Sequence, residues 1–197
     1  MREQLGITIR PYVRGQDDAA RVDIYNRAHS EDEDFVPLTI DDIRLWDQSP
    51  GEKLRHRFVA ALDDTPAGFG LAYVDPERRE GKGFMSGPDV VPESRRHRVG
   101  TALARAVLAY LVERGMTRAE TVASDRPNAN GFLKSLGFEP FRSYSEMSRP
   151  LDTVPHNLGE SGRAALGLVE PTGDNLATII RIENQAKSIS IFLFSRL

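Results

Sequence analysis

Residues 92–104, PESRRHRVGTALA, set Arg95, Arg96, His97 and Arg98 side by side just before Gly100 and an Ala/Leu-rich stretch. The chemistry open to such a segment is anion binding. A helix N-terminus exposes unpaired backbone N–H groups and a partial positive charge, so it holds phosphate. Arginines add charge-assisted contacts to phosphate oxygens, and Gly100 removes a Cβ where backbone and ligand approach closely. Small residues Ala102 and Ala106 let the helix lie close to a sheet behind it. A strand–turn–helix cradle for a pyrophosphate is the reading; a solvated charge run or a nucleic-acid patch is the alternative. Asp89 is the only carboxylate within GFMSGPDVV (83–91), and Glu93 follows it. A strand-end Asp beside proline is ordinarily a turn former, and Glu93 a surface residue. The histidines at 29, 56, 97 and 156 form no H-x-x-x-H pair, so no metal is expected.

The elements that position these residues follow from periodicity. ITIRPY (7–12) alternates as a strand, and Asp17 or Asp18 caps a helix through DDAARVDIYNRAHS. EDED (31–34) is a solvated loop. Thr39-Ile40-Asp41-Asp42 resembles a capping box opening a short helix with Ile43, Leu45 and Trp46. RFVAAL (57–62), the turn DDTP and AGFGLAYV (67–74) form a hairpin, and GFMSGPDVV is a further extended segment. Gly68-Phe69-Gly70 has no third glycine and reads as mid-strand rather than a dinucleotide loop. From Gly100 a helical period runs to a stop at Gly115. RAETVAS (118–124) is expected as a strand, NANGFLKSL (128–136) as a short helix and FEPFRSYSEMSRPL (138–151) as a final strand pair. The order is β-α-α-β-β-β-α-β-α-β, a mixed α/β (α+β) domain over residues 1–151.

TVPHNLGESG (153–162) is rich in turn formers, so residues 152–165 are expected to be a linker. In the extension 166–197, LGLVEPTGDNLATIIRIENQA (166–186) parallels ITIRPYVRGQDDAARVDIYNRA (7–28). It is either a weak internal repeat, the truncated start of a second such domain, or an unrelated strand–helix unit. SISIFLF (188–194) alternates as an added edge strand would; left free, an apolar edge of that kind would invite association, and a homodimer is among the expected partners.

Composition bounds the function classes. At 197 residues the chain has core enough for one domain. A net charge of −3 argues against a general nucleic-acid binder. The absence of cysteine excludes disulfides, thiolate metal sites and a cysteine nucleophile. MREQLGITIR lacks the apolar core of a signal peptide. ALARAVLAYLV is far short of the ~20 residues a membrane span needs. A cytoplasmic protein with no membrane partner is the expectation.

On these residues the chain resembles the GNAT superfamily of N-acetyltransferases. PESRRHRVGTAL is similar to its motif A, V-x-P-x-x-R-x-x-G-x-G/A, with Val90, Pro92, Arg95 and Gly100 on pattern positions. FLKSLGFEPF is similar to motif B, whose L-G-F is here Leu136-Gly137-Phe138. The resemblance covers residues 5–151. It implies a mostly antiparallel sheet flanked by helices and acetyl-CoA as cosubstrate. It also implies transfer to a small-molecule amine or α-amino group by direct attack on the thioester. Arg95, Arg96, His97, Arg98, Val99, Gly100 and Thr101 would grip the pyrophosphate, with Val90 and Val91 holding pantetheine through backbone bonds.

Departures accompany the match. Arg98 stands where the family has its first glycine, so it must adopt a conformation glycine usually provides. Sliding the motif by two would make Gly100 the first glycine but put His97 at the leading arginine; the first register keeps more of the flanking pattern. The family's asparagine and tyrosine of motif B fall on Arg126 and Leu133. Asn128 or Asn130 takes over the asparagine's cofactor contact, and Tyr144 is the candidate general acid; Asp89 is the candidate base. Trp46 and Tyr25 would line an acceptor pocket, or belong to the core. The competing class is a non-catalytic acyl-CoA-binding module, or a degenerate half of a tandem protein.

Overall fold

The computed structural model describes residues 6–145 apart from 34, 76–79 and 125, together with 147 and 172. Contacts divide the chain into two units, 1–141 and 142–197. The expected linker 152–165 and all of the extension 166–197 except 172 lie outside the described residues, as does the possible repeat. No helix among the described residues is long and apolar enough to cross a membrane.

The first unit is built on five strands in chain order: β1 (Ile7–Pro11), β2 (Arg55–Leu62), β3 (Thr65–Val74), β4 (Lys82–Val90) and β5 (Arg118–Glu120). The first three pairings are antiparallel; only β4 and β5 run parallel. Asp63 and Asp64 join β2 to β3 as a two-residue loop, both with positive φ (48° and 65°), the geometry that matches strand twist. The helices are α1 (Asp18–His29), α2 (Ile40–Asp47), α3 (Val99–Glu113) and α4 (Pro127–Ser135). Thr39 opens α2 with the capping box read from sequence. Asp17 occupies the N-cap position of α1 but does not cap it. Its carboxylate is engaged by Arg10 at 2.6 and 2.7 Å and by the Val13 N–H at 2.7 Å.

Alternation along β3 separates two layers. Val99, Leu103, Ala104, Val107 and Leu111, one stripe of α3, are buried against one face. Each of the larger ones contributes about 1.5–3 kcal/mol by leaving water. The close approach comes from glycines on the strands rather than from Ala102 and Ala106. A Cβ on Gly68 would stand 2.7 Å from Leu103 Cδ1, and one on Gly83 2.5 Å from Leu111 Cδ2. On the opposite face, buried Arg21 of α1 lies over the Phe69 ring at 4.9 Å, with Trp46 of α2 5.2 Å away on the same guanidinium. Arg57 of β2 anchors the end of α2 by donating to Asp47 and Glu52, each at 2.7 Å.

Two expectations change. RAETVAS contributes a strand only over Arg118–Glu120, and the described residues of 138–147 carry none. The strand stops because β4 bends away at a bulge, leaving no parallel partner. In the second case Pro140 lacks an N–H, and Glu139, Pro140 and Phe141 are exposed, so beyond Phe138, which packs against the core, the described residues form no ladder; 146 and 148–151 of the expected pair lie outside the described residues.

Candidate active site

The cationic turn stands between β4 and α3. Val91 bonds back to β3 through its N–H to Ala67 O (3.1 Å), and its carbonyl accepts from Ser94 N–H (3.0 Å). A short 3-10 turn, Pro92–Ser94, follows. Arg96 and Arg98 then take left-handed φ of 68° and 67°; at Arg98 this is the strain expected for an arginine in a glycine position, and at Arg96 the same strain was not expected. Helix α3 starts at Val99 without a side-chain cap, and its first intrahelical bond runs from Ala102 N–H to Arg98 O at 2.9 Å. The N–H groups of Arg98, Val99, Gly100 and Thr101 therefore precede any intrahelical acceptor. Arg96, His97 and Arg98 are exposed around them. Val99 is buried and supplies only its backbone to this turn.

Three sequence assignments acquire different roles. Arg95 donates through Nε to Val90 O (3.2 Å) and through Nη2 to Ala28 O (2.8 Å), strapping the turn to β4 and to the end of α1. A Cβ on Gly100 would face β4, 3.4 Å from Pro88 Cγ and 3.5 Å from Val90 Cγ2, so this glycine seats the helix against the strand. Val91, with both backbone groups bonded inside the protein, leaves the open edge to Val90 and the residues before it.

That edge arises from a split in the sheet. β5 pairs with β4 only over Lys82–Phe84. The β3–β4 register shifts between Phe69↔Asp89 and Leu71↔Ser86, so Gly87 and Pro88 bulge opposite Gly70. From Met85 to Val90 the outer side of β4 has no strand neighbour among the described residues. The α3 N-terminus sits beside this gap, with Phe132 of α4 3.8 Å from where a Gly100 Cβ would be.

A chain of charged groups crosses the α1 side of the same strand. Asp89 Oδ1 lies 3.1 Å from His29 Nε2, His29 Nδ1 2.7 Å from Asp32 Oδ2, and Arg126 Nη1 donates to Asp32 Oδ1 at 2.8 Å. The two carboxylates push the His29 pKa up to about 9, Asp89 contributing most, against a smaller opposing effect of burial. His29 in turn holds Asp32 below the usual carboxylate range, with Arg126 assisting. His29 was not among the sequence candidates. Its spacing of three from Asp32 was visible, but Asp89 lies 60 residues away.

Tyr25 stacks tilted on His29 with ring centroids 4.6 Å apart, and on Phe35 at 6.5 Å. Beside them an open groove of about 580 Å³ runs between Asn26 and Arg27 of α1, Ser30 just beyond its end, the Phe35–Pro37 loop and Glu93. Trp46 covers Arg21 rather than lining this groove. Asn128 is exposed on the first turn of α4, and Leu133 packs half-buried against the core. Tyr144, its hydroxyl accepting from Arg142 at 3.2 Å, belongs to the second unit.

No curated protein matches the chain in sequence. Solved structures do match in fold. A transcriptional regulator from Bacillus halodurans C-125 superposes with a TM-score of 0.60 at 19% identity, over 73% of this chain and 100% of that one. The ribosomal-protein-S18-alanine N-acetyltransferase from Escherichia coli gives 0.56 at 21%, over 70% and 80%. AAC(6')-Iy, in complex with the bisubstrate analog CoA-S-monomethyl-acetylneamine, gives 0.55 at 19%, over 74% and 99%. The sequence profile of the acetyltransferase (GNAT) family matches residues 21–138, from within α1 through β2–β5 and the cationic turn to the Leu136-Gly137-Phe138 tripeptide. With more than half of the chain inside that match, the protein belongs to the GNAT family of acetyltransferases.

Proposed function

We propose that this protein transfers the acetyl group of acetyl-CoA to the nitrogen of a small-molecule amine or an α-amino group. The observation that carries the reading is the uncapped N-terminus of α3 beside the open edge of β4. The orphaned N–H groups of Arg98 to Thr101 suit a pyrophosphate, and Arg96, His97 and Arg98 add cationic or donor groups around it. The backbone of Met85–Val90 suits the amide-bearing pantetheine arm as an added strand-like neighbour. Acetyl-CoA supplies the thioester carbonyl; the chain supplies its placement and a bed for the amine. Asn128, on the exposed first turn of α4, is available to the cofactor's outer portion. Two of the structural relatives support the nitrogen acceptor: one is named for the alanine of a ribosomal protein and another holds CoA joined to an acetylneamine.

Titration calorimetry with acetyl-CoA, followed by a panel of amines read by release of free CoA thiol, tests this. Binding in the micromolar range and turnover of at least one amine are expected; no binding of acetyl-CoA would sink the reading. A second reading, a non-catalytic acyl-CoA-binding module, is favoured by Leu133. An apolar side chain packed against the core stands where the resembling family places a tyrosine. Binding without turnover across the panel would favour it.

A further inference from the structure

Resting on the amine-acetylating reading above, we propose that His29 Nε2 accepts the proton of the incoming amine, with Asp32 orienting the ring and Asp89 receiving the amine's positive charge. The imidazole has a carboxylate at each nitrogen, Asp32 at 2.7 Å and Asp89 at 3.1 Å. In the neutral form the proton stays on Nδ1, towards the closer Asp32, and the Nε2 lone pair faces Asp89. A lone pair and a carboxylate side by side suit a cation bearing N–H bonds, which a primary ammonium provides and a hydroxyl or thiol does not. In the resting protein a proton takes that place, and His29 stays charged up to about pH 9.

The surroundings fit a proton acceptor better than a plain ion pair. Arg126 on Asp32 keeps that carboxylate anionic and still. Tyr25 covers one side of the ring, Arg95 lies close by on the Ala28 carbonyl, and Arg27 pairs with Glu93 and Asp23 instead of with this cluster. Asp89 immediately precedes Val90 on the strand whose outer edge is open, so the proton site and the bed for the acyl arm share one stretch of backbone. The step balances without another reactant. The ammonium enters as the resting Nε2 proton leaves to solvent. One ammonium N–H bond then breaks, an N–H bond forms at Nε2, and the freed lone pair remains on the amine nitrogen.

The test uses the whole chain and a peptide acceptor that the panel shows to be acetylated, whose α-amino group titrates at roughly 7.7–8.0, below His29. For the unmodified protein, kcat/KM, which needs the acceptor as ammonium together with neutral His29, should peak between the acceptor's titration and about pH 9 and fall beyond it. His29→Gln should lower kcat by about 10²–10⁴-fold and level off above the acceptor's own titration. Asp32→Asn should move the upper limb to lower pH, which a purely structural role would not do, and it decides the matter should His29→Gln fold poorly. Acceptor binding followed by calorimetry in two buffers of different ionisation enthalpy should release roughly 0.6–0.7 proton near pH 7.5, the loss from His29 less the uptake by the partly neutral acceptor, and should release none in His29→Gln. An unmoved profile with full activity in His29→Gln, or in Asp32→Asn where His29→Gln does not fold, overturns the inference alone. No turnover of any amine by the unmodified protein overturns both it and the reading on which it rests.

Discussion

At the residue scale, Arg98 shows how a motif position dictates backbone conformation. An arginine in a glycine slot must go left-handed, and it does, with φ 67°. Such a conformation costs a non-glycine residue on the order of 1–3 kcal/mol. Arg98→Gly is therefore expected to raise stability by about 1 kcal/mol in urea denaturation. Its acetyl-CoA affinity should fall by a few-fold at low salt and less at high salt, as for any exposed phosphate contact. Equal affinity at every salt concentration would remove the guanidinium from the cradle. Arg95 marks the limit of the same reasoning. Its charge was legible, but not its two carbonyl partners, one of them on Ala28, 67 residues away. Side-chain partners across the sheet depend on tertiary packing that local spacing does not encode.

At the scale of elements, the α3 stripe, the hairpin and the α2 capping box were all legible, because each rests on local periodicity or cap chemistry. The close approach of α3 was legible only in part. The sequence offered Ala102 and Ala106, whereas the space is made by Gly68, Gly70 and Gly83 on the strands beneath. A Cβ at Gly68 would lie 3.0 Å from the Asp89 carbonyl as well as 2.7 Å from Leu103, so backbone and core would both have to move. Gly68→Ala is expected to cost about 1–3 kcal/mol and, by displacing β4, to weaken acetyl-CoA binding as well. Unchanged denaturation midpoints would show that α3 has slack. The length of β5 was not legible, since it is set by where its partner β4 turns away.

For the whole molecule, the charge network predicts a stability optimum. The folded pKa of His29 is raised, so its contribution is complete below roughly 6.5, the unfolded value, and is lost as pH climbs towards about 9. His56 behaves oppositely: burial, then Arg114, lowers its pKa, so acidification below roughly 6.5 costs stability. The depressed carboxyls of Asp17 and Asp32 add a further loss on falling through roughly pH 4. Stability should peak near pH 6–7 and, allowing for the half-exposed ring, decline by on the order of 1 kcal/mol by pH 9. His29→Gln should flatten that alkaline decline, and a decline of unchanged size would place its cause elsewhere. The three-residue junction of β4 with β5 carries a different consequence. Outward amides from Met85 to Val90, with no strand beside them among the described residues, should take up deuterium within seconds, while those bonded to β3 resist. When acetyl-CoA fills the gap, only the outward set should slow, so isotope uptake along one strand reports occupancy ahead of any turnover.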